Sequence, residues 1–188
     1  YKGDLMMLEM LAQCNWKRPL YVALTVGEEN YMNLGDNFVQ EGLVNRITPF
    51  TTNKPGAKNF DTEKAYHNIM TRFKFGNLKQ KGLYVDETTM RMCYPHRRLL
   101  SQTALALIAE HKDKKAIDIL KKADVEIPYY NVPVDYMSGG LDMARGWLLT
   151  GQKAKGEEYL KKVWTNATQY LNYYLSLNAD RFAQAQSD

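Results

Sequence analysis

The sequence predicts a mainly α protein built from antiparallel helical hairpins, with a small α/β portion at its N-terminus. Three observations support this fold class. From residue 86 onward, apolar residues recur at spacings of three and four, as in amphipathic helices. A helix-pair pattern in this region repeats after 40 residues. Before residue 50, two short runs rich in Val, Leu, Ile and Thr are typical of strands.

The N-terminal portion, residues 1–60, is predicted to contain two helical and two extended segments. Asp4 is expected to cap a helix that ends at Asn15. Residues 19–27, PLYVALTVG, read as a buried strand because they carry no charge, and residues 43–48 read as a second strand. Between them, Asp36 is expected to begin one or two helical turns that run through Glu41. The connection is long enough for the two strands to pair in parallel.

The remainder, residues 61–188, is predicted to be helical. After a loop at residues 51–58, Asp61 is expected to cap a helix. The stretch from Lys54 to Lys81 holds seven basic and two acidic residues, an excess of +5. A solvated face is the simpler interpretation of this excess. Binding to an anionic lipid surface is the sharper alternative.

A pair of amphipathic helices is predicted after residue 86. Asp86 or Thr88 is expected to cap a first helix, which Pro95 interrupts because proline lacks a backbone donor, so that a new helix begins there. Pro128 ends the second helix of the pair. The charged turn between the helices is short, so the two helices are expected to lie antiparallel and to bury their apolar stripes together.

The helix pair resembles a tetratricopeptide repeat, which places small residues where its helices touch and ends in a proline. Ala104 and Ala116 take such small positions, and 40 residues later Ala144 and Gly156 replace them. The predicted repeats cover about residues 95–128 and 135–177, with residues 166–177 extending the second repeat or capping the stack. A plain antiparallel helical bundle is the alternative.

The residue pattern gives no sign of catalysis, metal, cofactor or nucleic acid. Up to Tyr94 there are 12 basic and 10 acidic residues, and after it 13 and 11, so no basic arm points to nucleic acid. The phosphate-binding and serine-nucleophile motifs do not occur. Cys93 and His96 form a C-x-x-H pair, but the second pair of ligands that a zinc site needs is missing. Free thiols are the simpler interpretation of Cys14 and Cys93, and a disulfide between them is the alternative.

One set of residues is a candidate ligand-binding groove. Tyr129, Tyr130 and Tyr136 cluster in the loop between the predicted repeats, and Arg97 and Arg98 begin the first repeat helix. Tyrosine rings and guanidinium groups suit a sugar or an extended peptide. The alternative is that these tyrosines only pack the loop onto the helices.

The chain also resembles a known family. The segments NWKRPLYVALTV, GLVNRITPF and PHRRLL are its most specific pieces. They are similar to the C-terminal soluble region of a bacterial family of multi-spanning membrane proteins, domain of unknown function 2723, which resembles protein O-mannosyltransferases. The resemblance implies a parent in the bacterial inner membrane with this region on the periplasmic side. It also implies that the catalytic acids lie in the membrane-embedded portion, so no catalytic residue falls in this chain.

Two functions follow as hypotheses. The first is a non-catalytic helical-repeat domain of a membrane glycosyltransferase-like protein, which docks an acceptor protein, a glycan or a partner against the membrane-embedded portion of the same polypeptide. The second is a stand-alone tetratricopeptide-like scaffold that binds peptides and has no enzymatic parent. The chain begins with Tyr1 rather than Met, which favours a piece of a longer polypeptide.

Overall fold

A computed structural model describes residues 2–51 and 59–185 of the chain. The chain divides into two compact units, Tyr1–Phe73 and Lys74–Asp188. The predicted mainly helical class with a small N-terminal sheet is confirmed, and the first unit holds the sheet. Among the described residues, no helix combines the length and the apolar character that a membrane span requires.

The first unit opens with α1 (Lys2–Cys14), so the helix predicted to end at Asn15 is present. The predicted cap is wrong, because Asp4 lies within the first turn of the helix rather than before it. The helix ends because Asn15 and Trp16 both adopt positive φ, at 42° and 59°. Cys14 is half-buried and Cys93, in the second unit, is buried; both are free thiols.

Four short strands form one sheet in the order β1, β3, β2, β4. They are β1 (Tyr21–Ala23), β2 (Phe38–Gln40), β3 (Val44–Ile47) and β4 (Asn59–Phe60). Tyr21 pairs with Arg46 and Phe38 pairs with Ile47, both in antiparallel ladders, whereas β2 and β4 are parallel. Most of the predicted loop at 51–58 lies outside the described residues.

Three predictions for this sheet are wrong. Phe38–Gln40 is a strand rather than helical turns, although a single 3₁₀ turn, Gly35–Asn37, precedes it. The reason is a hairpin between β2 and β3, in which Gly42 takes a φ of 126° that other residues rarely adopt. The strand β3 also runs antiparallel to β1, so the parallel pairing that the length of the connection allows does not form. The strand predicted at 19–27 is confirmed only over Tyr21–Ala23. It is not buried as predicted, because Tyr21 and Ala23 are exposed.

Helix α2 (Thr62–Thr71) lies in the first unit with the sheet. Asp61 caps it as predicted, because its carboxylate accepts a hydrogen bond from the Lys64 amide at 3.0 Å. Asn68 donates to the Glu41 carbonyl at 3.0 Å, and Lys64 lies 2.9 Å from the Glu41 carboxylate. These contacts connect α2 to the β2–β3 hairpin.

The second unit consists of helices in the described residues. They are α3 (Glu87–Ala109), α4 (Asp113–Glu126), α5 (Gly140–Leu149), α6 (Lys153–Ser176) and α7 (Ala179–Ala185). Helix α3 packs on α4, α5 packs on α6, and α5 also contacts α3 and α4. The helices α3 and α4 bury four large apolar side chains completely: Leu100, Leu107, Ile119 and Leu120.

The predicted break at Pro95 is wrong, since α3 continues through it. Pro95 is exposed, and the carbonyl it leaves without a donor belongs to Arg91, which is also exposed and can be hydrated. Cys93 and Arg97 are buried on either side of Pro95. Packing on both flanks therefore keeps the helix continuous past the proline.

The predicted small positions lie where the helices touch. Ala104, Ala116 and Ala144 are buried, as is Gly156. A side-chain carbon at Gly156 would lie 2.5 Å from Leu148 Cγ, and one at Gly146 would lie 3.1 Å from Leu120 Cδ2. The helices therefore approach so closely that larger side chains would not fit.

Candidate functional site

The loop between α4 and α5 is held in place by a buried arginine. Arg97 of α3 has 0% of its surface exposed. Its guanidinium donates to the carbonyls of Ile127, Val132 and Pro133 at 3.0, 2.6 and 2.8 Å. Ile127 is the C-cap of α4, so the positive charge also lies at the negative end of that helix dipole. Arg97 was predicted to line a ligand groove; instead it lies in the interior and fixes the loop.

A second polar cluster fixes the end of this loop. Ser138 donates its amide to the Asp135 carboxylate at 2.5 Å, and Asp135 donates its amide to the Ser138 hydroxyl at 2.9 Å. Gly139 follows with a φ of 81°, and a side-chain carbon there would lie 2.9 Å from Arg98 Cα. The two glycines at 139 and 140 are therefore explained by a tight turn and close packing, and the Ser138 amide is already occupied.

Burial raises the pKa of three titratable side chains in this unit. Burial, and then the nearby Asp135 carboxylate, raises the pKa of Tyr94 to about 12. Burial and the Asp124 carboxylate, to which its hydroxyl donates, raise the pKa of Tyr159 well above its usual range. Burial also raises the pKa of the Cys93 thiol. At neutral pH none of these groups is prepared to act as a base or a nucleophile.

The histidines do not form a site in the described part of the chain. His96 Nδ1 lies 2.9 Å from the Met92 carbonyl within α3, and His111 occupies a turn with a φ of 59°. Within residues 2–51 and 59–185, no three His, Cys, Asp or Glu side chains are grouped as metal ligands would be.

Exposed tyrosines line an open groove of about 600 Å³, here called the tyrosine groove. Tyr129 and Tyr130 are 55% and 45% exposed, and their ring centroids are 5.9 Å apart. Tyr84 is 87% exposed and lines the same groove with Lys81. Two of the three predicted loop tyrosines thus lie together, with Tyr84 as a further tyrosine that no sequence pattern indicated.

Hydrogen bonds fix the walls of the tyrosine groove. The Tyr130 hydroxyl donates to the Lys79 carbonyl at 2.7 Å. Asn131 donates its side-chain amide to the carbonyls of Leu78 and Gln80 at 2.6 and 2.7 Å. The segment before α3 is therefore tied to the loop after α4, which brings Tyr84 beside Tyr130 although 46 residues separate them. No local pattern in the sequence signals such a contact.

The other two predicted groove residues lie elsewhere. Tyr136 is 61% exposed but is not part of the groove wall. Arg98 donates to the Met137 carbonyl at 2.5 Å and is exposed. Arg98 therefore contacts the loop from α3, and neither residue lines the tyrosine groove.

A second groove, here called the α6 groove, lies on the other side of Tyr129. Its volume is about 360 Å³, and it lies between the loop residues Tyr129, Pro133 and Val134 and one face of α6 that includes Lys162 and Asn166. The Lys162 ammonium lies 3.6 Å from the Tyr129 ring centroid and 2.6 Å from the Glu158 carboxylate. One face of that ring is therefore covered by a cation.

The predicted basic segment is partly neutralised. Lys64 pairs with Glu41, and Lys79 pairs with Glu126 at 3.1 Å. Lys54 and Lys58 lie outside the described residues. The segment therefore presents a smaller excess of positive charge than its composition alone suggests.

These observations define a class of protein: a helical-hairpin protein with open surface grooves. Comparison with known families adds one finding. Residues 1–64 of the 188 match the model of the family described as TMEM260-associated domain 2, so the N-terminal part is similar to a membrane-protein-associated domain. No curated protein and no solved structure matches the chain. The finer resemblance to domain of unknown function 2723 stays a prediction.

Proposed function

We propose that this chain is a non-catalytic docking domain of a membrane glycosyltransferase-like protein, placed on the extracytoplasmic side, where it holds an acceptor protein, a glycan or a partner. The similarity of residues 1–64 to a membrane-protein-associated domain supports the link to a membrane protein.

The helical hairpins are proposed to be tetratricopeptide-like repeats. Two hairpins, α3–α4 and α5–α6, pack with small residues at corresponding contacts. The first helix of the second hairpin contacts both helices of the first, an arrangement that stacks hairpins side by side. Such stacking leaves loops and open faces available for ligands.

The tyrosine groove is the observation that carries the docking role. Large aromatic rings on a rigid support bind with little loss of conformational entropy, because each ring has only two side-chain torsions. Tyr84, Tyr129 and Tyr130 supply such rings, and hydrogen bonds from Tyr130 and Asn131 fix the backbone around them. The proposed ligand is a glycan or an extended peptide segment.

Glycan and peptide arrays probed with the full chain test this proposal. We expect Tyr84→Ala and Tyr129→Ala each to weaken binding of the retained ligands about tenfold, since a stacking contact contributes roughly 1 kcal/mol or more. The melting temperature should stay nearly constant, because both rings are more than half exposed. Tyr136→Ala is the matched control, with an exposed tyrosine outside the groove.

Two results would contradict the proposal. A large fall in melting temperature for Tyr84→Ala and Tyr129→Ala would show that these rings only pack the loop. If the chain binds no glycan and no peptide on the arrays, the proposed docking role is wrong. The reading frame upstream of Tyr1 separately tests the parent, because several encoded hydrophobic spans support a membrane protein, whereas a stop codon supports the stand-alone scaffold.

A further inference from the structure

An exposed apolar stripe runs along α6, here called the α6 stripe. Its five members are spaced at four, three, four and three residues, the spacing of a helix seam: Leu160, Trp164, Ala167, Leu171 and Tyr174. At 3.6 residues per turn they lie within an arc of about 80° around the helix. Leu160, Trp164 and Leu171 are 41%, 73% and 58% exposed, so this seam faces solvent.

The α6 stripe is not the side that α6 uses within its own unit. The buried residues of α6 are Gly156, Tyr159 and Val163. Within α6, which the structure describes throughout, no residue after Val163 is buried, and residues 169–176 are exposed on every side. The end of the helix therefore projects from the helices on which it packs. Helices with large apolar residues on several sides are typical of protein interiors, so this end requires a covering surface.

The first hairpin shows what covers the corresponding face of α4. The 40-residue repeat places Leu160 at the position that Leu120 holds in α4. Leu120 is fully buried and meets Gly146 of α5, where an added side-chain carbon would lie 3.1 Å from Leu120 Cδ2. A helix that carries a small residue therefore covers this face of α4. The equivalent face of α6 is open and fits an occupant of the same kind, a helix with a small residue at the contact.

The α6 stripe itself meets this requirement, because its central residue is Ala167. Two large residues precede Ala167 and two follow it, so the stripe has the same profile from either end. Two stripes that cross antiparallel at Ala167 place Trp164 of each copy beside Leu171 of the other. The same crossing places Leu160 beside Tyr174. The antiparallel arrangement also aligns two helix dipoles head to tail, which is the favourable orientation.

The distribution of charge also favours a second copy. No charged residue occurs in the range 163–179, so two copies that pair around Ala167 bring no like charges together there, although the whole chain carries +4. Lys153 and Glu157 continue the line of the stripe toward the start of α6 and pair with each other at 3.7 Å. A charged protein or an anionic membrane would find no charge on the α6 stripe to bind.

The exposed area is close to what a dimer needs. Leu175 and Phe182 border the α6 stripe and are 74% and 41% exposed, and the Phe182 ring centroid lies 6.4 Å from that of Tyr174. Large side chains present roughly 150–250 Å² when fully exposed, so the stripe and these two residues offer on the order of 600 Å² per copy. A standard stable interface buries about 800 Å² per partner, so the expected dimer is reversible.

We propose that the α6 stripe is a self-association surface, on which two copies of this chain pair through antiparallel α6 helices that cross at Ala167. The projecting end of each α6 then lies on the exposed side of the other α6, which covers both. This inference goes beyond the proposed docking function, because the α6 stripe shares no residue with the tyrosine groove.

Sedimentation equilibrium of the full chain tests the proposal. The average mass should rise from 21.7 kDa toward twice that value as the protein concentration increases. Leu171→Lys should raise the dissociation constant of the dimer about hundredfold, because it places unpaired charges in an apolar interface. Asn172→Lys is the matched control, since it adds the same charge at an exposed residue about 100° further round the helix, and it should leave the constant nearly unchanged. Both variants should keep the melting temperature of the monomer, because both side chains are exposed.

A cross-link locates the crossing point without relying on the lysine variants. In a Cys14→Ser background, Ala167→Cys should form a disulfide between copies on oxidation, because the two residues at this position meet at the two-fold axis. Asn172→Cys in the same background is the control and should remain a free thiol. Cys93 is buried and does not compete.

The inference is overturned if the natural chain stays monomeric at every concentration, if Leu171→Lys and Asn172→Lys weaken association equally, or if Asn172→Cys cross-links as readily as Ala167→Cys. Co-sedimentation with phosphatidylcholine vesicles that Leu171→Lys abolishes would also overturn it, since lipid would then cover the α6 stripe. Tyr84→Ala should dimerise like the natural chain, because Tyr84 lines the tyrosine groove. Failure of the dimer would therefore leave the docking function standing, and loss of ligand binding in Tyr84→Ala would leave the dimer intact.

Discussion

Two neighbouring arginines show how the environment of a residue decides its role. Arg97 and Arg98 are adjacent in α3 and alike in sequence, yet one is fully buried and the other is exposed. Successive residues on a helix point about 100° apart, so Arg97 faces the loop that follows α4 while Arg98 faces solvent. The sequence pattern favoured two surface arginines because charged residues are rarely buried. The three carbonyls that hold Arg97 come from residues 30 to 36 positions away.

Replacement of Arg97 tests this assignment at the residue scale. Arg97→Met should lower the free energy of unfolding by about 3–5 kcal/mol, because three interior carbonyls lose their donor. Arg98→Met is the matched control and should cost at most about 1.5 kcal/mol, since Arg98 makes a single exposed hydrogen bond to Met137. Urea unfolding of both variants measures the difference. Equal losses for the two would contradict the role of Arg97 as the group that fixes the loop.

At the scale of elements, close approach between helices and loops decides the architecture. The glycines at 140, 146 and 156 lie where an added side-chain carbon would meet neighbouring atoms. The 40-residue pattern of small residues predicted these contacts correctly for Ala104 and Ala144. It gave no information on Pro95 or on the strand at Phe38–Gln40, because their conformations depend on packing and on a hairpin partner rather than on local preference.

Substitution of Gly140 tests the close approach. A side-chain carbon there would lie 2.6 Å from Val134 Cγ1, 2.7 Å from Val163 Cγ2 and 2.8 Å from the Asp135 carbonyl. Gly140→Ala should therefore lower the free energy of unfolding by about 1–3 kcal/mol, the usual cost of overpacking. Gly3→Ala is the control, since nothing lies within 4 Å of the added carbon, and it should leave stability unchanged or slightly higher. A neutral Gly140→Ala would mean that the loop and Val163 can move away from the start of α5.

At the scale of the whole molecule, the chain carries a net charge of +4, and its charge distribution bears on the lipid alternative. The stretch from Lys54 to Lys81 carries an excess of +5, which is larger than the net charge of the whole chain, but Lys64 and Lys79 are paired with Glu41 and Glu126. Paired surface charges contribute little to attraction over a distance. The described structure thus favours weak electrostatic association over a dedicated lipid site.

Vesicle binding measures this association. The chain should co-sediment weakly with phosphatidylglycerol vesicles at low salt and dissociate from them as salt rises, since the Debye length falls to about 10 Å at 0.1 M. Phosphatidylcholine vesicles are the control, and the chain should not co-sediment with them. Equal binding to both kinds of vesicle, or binding that salt does not change, would remove the electrostatic explanation.

The sequence by itself determined the features that depend on local chemistry. These are the mainly helical class, the helices capped by Asp61 and Asp86, the small contact positions and the cluster of loop tyrosines. Tertiary structure alone decided which residues form a site. Tyr84 joins Tyr130 across 46 residues, Arg97 turns inward, and Asn166 faces a groove whose other wall is a loop more than 30 residues earlier. Periodicity reports which side of a helix is apolar, but only packing determines what that side meets, because contacts between distant residues leave no local pattern.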